Sequence, residues 1–178
     1  MKNIIAFTGS TNPNSINEKL LIAAINKFPE KSVQLIKLTD HNIPIYSQKI
    51  EEKNGIPKAI KELFQLFTKA DGFIIASPEH NGLLSSFLKN IVDWLSRVDQ
   101  SFFGDKPVML MSTSPGETGG SSHLQILENL IPRWGGNLLS TYSLGNFNNR
   151  FDTENLSILV PSEDLKLNEA VQTFLKSY

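Results

Sequence analysis

The sequence contains no cysteine. Disulfides, thiolate metal sites and thiol redox chemistry are thereby excluded, so any electron this protein handles must be carried by something bound to it. An excess of one charge is also missing. The 17 basic and 18 acidic side chains leave a net charge of −1, and a chain so balanced has no field to gather nucleic acid or an anionic membrane surface. Long hydrophobic runs are absent too. The apolar stretch near the N-terminus, Ile4-Ile5-Ala6-Phe7, is too short for a secretory core, and no window approaches the roughly 18 apolar residues of a membrane span. The expectation is a cytoplasmic protein with neither nucleic-acid nor membrane partners. His41, His80 and His123 fit no metal spacing such as H-E-x-x-H, so no metal is expected.

What is present is ordinary globular composition, 40% hydrophobic and 20% charged. The 178 residues amount to one domain, 1–178, without repeats, linkers or low-complexity segments. A chain of this size buries about 70% of its unfolded surface, enough for a core without external staples.

Short β-branched runs alternate with stretches of helical period. Strands are predicted over Ile4 to Thr8, Val33 to Leu38, Gly72 to Ser77, Pro107 to Met111 and Leu138 to Leu144. The run ending at Ser77 is apolar throughout, as expected of a strand covered on both faces. Helices are predicted around Ile16–Lys27, from Pro57 through the stripe Ile60, Leu63, Phe64 and Phe67, and around Leu84, Phe87, Leu88, Ile91 and Leu95. Two more carry Leu124, Leu127, Leu130 and Ile131, then Leu167, Ala170, Val171 and Phe174, with Ser162 as the cap of the last. Five strands separated by helices predict an α/β fold, a flavodoxin-like doubly wound five-stranded parallel sheet with helices on both faces. In such a sheet, ligands bind beyond the carboxyl ends of the strands, where the strand order switches. Three strand-end loops should meet there: Gly9 to Asn17, Pro78 to Gly82 and Ser112 to Gly120. Each is unusually polar or glycine-rich.

The first loop joins a strand directly to a helix start, where unpaired N–H groups and a partial positive charge favour an anion. It is neither a dinucleotide fingerprint nor a P-loop. Ser15 and Glu18 also have the spacing of a capping box. A cap satisfies only some of the free donors, so both roles stand.

Three motifs in order carry a resemblance. Gly9-Ser10-Thr11-Asn12-Pro13-Asn14-Ser15-Ile16-Asn17 is similar to Gly-Ser-x-Arg-x-x-Ser-x-Asn. Pro78-Glu79-His80-Asn81, followed by Leu88-Lys89-Asn90 and Asp93-Trp94-Leu95-Ser96, is similar to Pro-Glu-Tyr-Asn and its helix. Ser112 to Gly120 matches a Ser-rich turn ending in Gly-Gly. Over about residues 4 to 144 the chain resembles the NADPH-dependent FMN reductases, a family that includes quinone, azo-dye and chromate reductases. The resemblance implies FMN as cofactor, with NADPH or NADH as reductant. No arginine can be placed on a 2′-phosphate to choose between them. It also implies that Ser10, Asn12, Ser15, Ile16 and Asn17 cradle the FMN phosphate. Pro78, Glu79, His80 and Asn81 would border the isoalloxazine, and Ser114 would hold its other edge. A homodimer or homotetramer is implied as well, with a small-molecule electron acceptor as partner.

Two positions depart from the family pattern. Asn12 stands where the family has its phosphate-contacting arginine. A charge-assisted hydrogen bond contributes about 1.5–3 kcal/mol, so its loss weakens FMN by roughly one to two decades. His80 replaces the tyrosine beside the ring and brings a titratable group to the flavin edge.

Other residues read more plainly. Asp93 and Arg97 are spaced for a surface i,i+4 pair. Trp94 and Trp134 are core or subunit-contact aromatics, and Ile45 and Tyr46 surface or interface residues. Ser114 lacks a G-x-S-x-G elbow, so it is no hydrolase nucleophile. The expected function is an FMN-dependent NAD(P)H oxidoreductase working by a ping-pong mechanism, with no side chain demanded as acid or base. Two alternatives stand beside it: a flavodoxin-like electron carrier without nicotinamide turnover, and, because of Asn12, a non-catalytic relative that has lost FMN.

Overall fold

The computed structural model describes residues 3–29 and 33–176. The predicted strands pair into one parallel sheet. Its members are β1 (Ile4–Thr8), β2 (Val33–Leu35), β3 (Gly72–Ala76), β6 (Lys106–Thr113) and β7 (Gly136–Leu144), in the order β2-β1-β3-β6-β7. Between β3 and β6 lies a small hairpin of β4 (Glu79–His80) and β5 (Leu83–Leu84), and after β7 comes a second one, β8 (Phe151–Asp152) with β9 (Ser157–Ile158). The helices are α1 (Ile16–Ile25), α2 (Gln48–Asn54), α3 (Lys58–Lys69), α4 (Ser86–Val98), α5 (Ser121–Leu130), α6 (Phe147–Arg150) and α7 (Pro161–Leu175).

Strand alternation sorts the core into two layers. Ile5, Phe7, Phe73, Ile75, Val108 and Leu110 face α3, α4 and α5. Ile4, Ala6, Ile74, Ala76, Met109 and Met111 face α1 and α7. One sheet with helices on both faces is the doubly wound architecture the alternating pattern predicts. No helix among the described residues is long and apolar enough to cross a membrane.

Several boundaries differ from expectation, each for a local reason. β2 stops at Leu35, not Leu38: Ile36 still donates to the Ala6 carbonyl, and a turn of 3₁₀ helix over Leu38–Asp40 then drives Leu38 into the core. β6 runs on to Thr113, so the glycine-rich loop starts at Ser114. Leu84 belongs to β5, not to the following helix. Asn81 and Gly82 both have positive φ, 53° and 79°, the geometry of a two-residue hairpin turn. Ser85 then caps α4 by accepting the Leu88 amide. At the last helix Ser162 is not the cap. Pro161 takes the first helical position, where its fixed φ suits and its missing N–H is not needed.

Candidate functional site

β1 and β3 are neighbours whose following helices, α1 and α4, pack on opposite faces of the sheet. Their loops therefore part at the carboxyl edge and leave a crevice. A cleft of about 500 Å³ opens there, mouth included. It is lined by Ser10, Asn12, Ser15, Ile16 and Asn17 from the first loop, Pro78, Glu79 and His80 from the second, and Thr113, Ser114 and Pro115 from the third. Every residue singled out from the sequence lines this cleft except Asn81, which stands at the exposed tip of the β4–β5 turn, next to His80.

The first loop is shaped by its own side chains. The Asn12 amide donates to Ser10 Oγ (3.2 Å), and Asn12 Oδ1 accepts the Asn14 amide (2.9 Å). Half of the Asn12 carboxamide is thus spent holding the turn, which leaves its NH₂ group for a ligand. Ser15 caps α1 by accepting the Glu18 amide at 3.2 Å. The return bond of a capping box is replaced, because the Ser15 amide donates instead to the Asn12 carbonyl. The Lys19 amide goes to the Ser15 carbonyl. The amides of Ile16 and Asn17 have no partner among the described residues, and both residues line the cleft. Two unpaired donors at the positive end of a ten-residue helix suit an anion.

Asn17 also has a structural task. Its buried carboxamide donates to the Thr113 carbonyl (3.1 Å) and accepts the Thr113 amide (3.0 Å). This pairing locks the first loop to the end of β6, leaving only the backbone of Asn17 for a ligand. The second wall is tied in the same way: Ser85 Oγ donates to the Gly9 carbonyl. A Cβ on Gly9 would lie 2.8 Å from Leu88 Cδ2 and 2.9 Å from its Cβ. Glycine is what lets α4 approach the loop so closely. In the third loop the Ser114 hydroxyl donates to the Gly116 carbonyl at 3.3 Å, and the Ser114 carbonyl accepts the Phe147 amide.

No lysine or arginine lines the cleft, and Glu79 is its one carboxylate. A separate groove on the far side of the first loop is shared by Ser10, Thr11 and Asn12 with Lys37 and Asp40. Among the described residues no cluster of three or more His, Asp or Glu side chains could hold a metal.

The helix motif after the second loop serves structure. Asn90 accepts the Tyr46 amide (2.7 Å) and donates to the Pro44 carbonyl (3.0 Å), which also receives Trp94 Nε1 (2.8 Å). The Tyr46 ring meets fully buried Trp94 edge-on at 5.0 Å. The predicted Asp93–Arg97 pair does not form. Asp93 takes Lys89 one turn earlier, while Arg97 Nε bonds both oxygens of Glu51 at 3.0 Å, because α2, unforeseen in the sequence, brings that carboxylate over α4. Thr113 and Pro115, the neighbours of Ser114 within the predicted third loop, also line the cleft. Nothing in the local sequence marks Thr113, since its role depends on Asn17 arriving from 96 positions away.

Fold and cleft together define the flavodoxin-like class, with a polar, helix-capped crevice at the switch point of a doubly wound sheet. The sequence profile of the NADPH-dependent FMN reductases matches residues 2–148, and the chain belongs to that family. Quinone reductase of Escherichia coli (strain K12) is 29% identical over 119 residues, 66% of this chain and 63% of that protein. The match thus spans somewhat less than two thirds of that relative. The 2-hydroxy-1,4-benzoquinone reductase of a Burkholderia species is 32% identical over 127 residues, 68% of this chain and 67% of that one. Among solved structures, the flavoenzyme NAD(P)H:(acceptor) oxidoreductase FerB of Paracoccus denitrificans superposes with a TM-score of 0.80. The superposition covers 99% of this chain and 96% of that one at 22% identity, a likeness of fold.

Proposed function

We propose that this protein is an FMN-dependent NAD(P)H oxidoreductase that delivers electrons to a quinone, a free flavin, an azo compound or a similar small acceptor. The observation that carries the reading is the cleft itself. Residues from three separate strand-end loops line it, and the first of these loops brings unpaired helix amides. The donor set fits FMN. The amides of Ile16 and Asn17, with Ser10 Oγ and the Asn12 NH₂ group, would hold the phosphate. Residues 78–80 and Ser114 would flank the ring, and Asn81 would border its outer edge from the hairpin tip.

When bound, FMN supplies the two-electron chemistry that a chain without cysteine lacks. The chain's own part is to position and to exclude. The open face of the cleft admits nicotinamide and acceptor in turn, a ping-pong order in which one must leave before the other enters. No side chain is required as acid or base for the hydride to leave the nicotinamide. The relatives named as quinone reductases support an acceptor of that class for this chain. A homodimer or homotetramer in the cytoplasm completes the reading, and the exposed Ile45 (82%) and Leu83 (52%) are available for subunit contact.

The test is a stopped-flow mix of FMN-loaded protein with NADPH and with NADH under anaerobic conditions. Turnover-timescale bleaching by either supports the enzyme. Protein that binds FMN but stays oxidised is a flavodoxin-like carrier. Asn12, standing where the family has an arginine, is the ground for a second alternative, a relative that has lost FMN; colourless protein that takes up none on titration would establish it.

A further inference from the structure

His123 has no exposed surface, although it is the third residue of α5 and lies close behind the cleft wall. Its Nδ1 is 2.6 Å from the Gly120 carbonyl oxygen. A carbonyl only accepts, so the proton is on Nδ1. The same nitrogen is 3.5 Å from Glu79 Oε2, and that oxygen also accepts the His123 backbone amide at 3.5 Å. The cleft's one carboxylate is therefore turned toward the positive end of α5 and a ring N–H.

A second observation comes from behind the ring. His123 Nε2 and the hydroxyls of Ser77 and Ser112 are buried with no hydrogen-bond partner among the described residues. Ala76 pairs with Met111, so Ser77, just past the end of β3, stands beside Ser112 of β6. A Cβ on Gly120 would meet both Ser112 Oγ (2.3 Å) and His123 Cε1 (3.2 Å), so serine and imidazole converge on the space that the missing side chain leaves open. Buried polar atoms without partners are unfavourable in a core, and a leucine would fill the space without them.

We propose that His123 is a positioning residue of the FMN site, clamping Glu79 of the second loop to Gly120 of the third. The clamp draws the carboxylate away from the ring and leaves the backbone of residues 78–80 facing it. This rests on the FMN reading. Without the imidazole, Glu79 keeps only its 3.5 Å contact with the His123 backbone amide and swings toward the flavin, where it opposes the electron-rich reduced form, so reduced FMN loses affinity more than oxidised FMN does.

The experiment measures dissociation constants for oxidised FMN by fluorescence titration, and the reduction potential of the bound flavin by dye equilibration. His123→Ala raises the oxidised dissociation constant about tenfold, the loss of one buried hydrogen bond, and makes the potential more negative. His123→Asn keeps a donor toward Gly120 and stays close to wild type. Adding Glu79→Gln to His123→Ala returns the potential toward wild type, because a neutral amide no longer opposes reduction; a merely structural role for the imidazole predicts no such return. Should His123→Ala fail to fold, Glu79→Gln alone reads the same coupling. Its potential barely moves if the charge is already held by α5 and His123, and a large rise overturns the proposal. Wild-type protein that takes up no FMN overturns the underlying reading and the proposal with it. Wild-type protein that binds FMN, with His123→Ala matching it in both measurements, overturns the clamp alone.

Discussion

Asn12 carries the sharpest consequence of a single side chain in this molecule. Its carboxamide holds the turn through Asn14, and the cleft it lines contains no cation to meet a phosphate. Asn12→Arg should tighten FMN about tenfold, a charge-assisted bond partly offset by the lost turn contact. Equilibrium fluorescence titration checks this, and an unchanged constant would place the phosphate elsewhere. Asn17→Ala strips two hydrogen bonds from the Thr113 backbone. With donor and acceptor left unsatisfied, urea denaturation should show a loss of about 2–4 kcal/mol. The cleft-lining residues were legible in the sequence as polar loops at the strand ends of an α/β sheet, although the same residue types also cap helices and hold turns, as Ser15 and Asn12 do. Their division of labour was not. Asn17 reads as a ligand and spends its side chain on Thr113, a partnership that exists only once the two loops meet.

Elements followed their periodicity wherever burial was one-sided or complete. The two-residue turn Asn81-Gly82 was written plainly in the chain as a hairpin signal, yet the strands it joins are only two residues each and leave no alternation to read. α2 escaped for a similar reason: it has no fully buried residue, so no apolar stripe announces it. Its contribution is Glu51, which joins Arg97 and the Tyr46 hydroxyl over α4. β7 and α7 provide a titration test. The Tyr142 hydroxyl donates to the Glu163 carbonyl at 3.2 Å. Burial, and then the carboxylates of Glu163 and Asp164, push its phenol well above the usual range. A raised folded pKa means the stability it contributes is complete below about pH 10, the unfolded value, and is lost as pH rises from there toward the folded one. Urea midpoints should fall above that pH in wild type, and the fall should be shallower in Tyr142→Phe.

At the scale of the whole molecule, the strand order makes the site. With β1 and β3 adjacent and their helices on opposite faces, the crevice is a consequence of topology before any side chain is chosen. Alternating strand and helix patterns in a chain of this length were sufficient to predict the layers, since strands buried on both faces, as β3 and most of β6 are, need helices on each side of the sheet. The side chains then make the crevice polar, with unpaired helix amides in its first loop. The central claim is that this place holds FMN and lets nicotinamide reach it. Its most direct test is the visible spectrum of protein reconstituted with FMN, followed anaerobically as NADPH or NADH is added. The account predicts stoichiometric uptake and rapid bleaching by at least one of the two. Protein that leaves FMN free in solution at saturating concentration would contradict it.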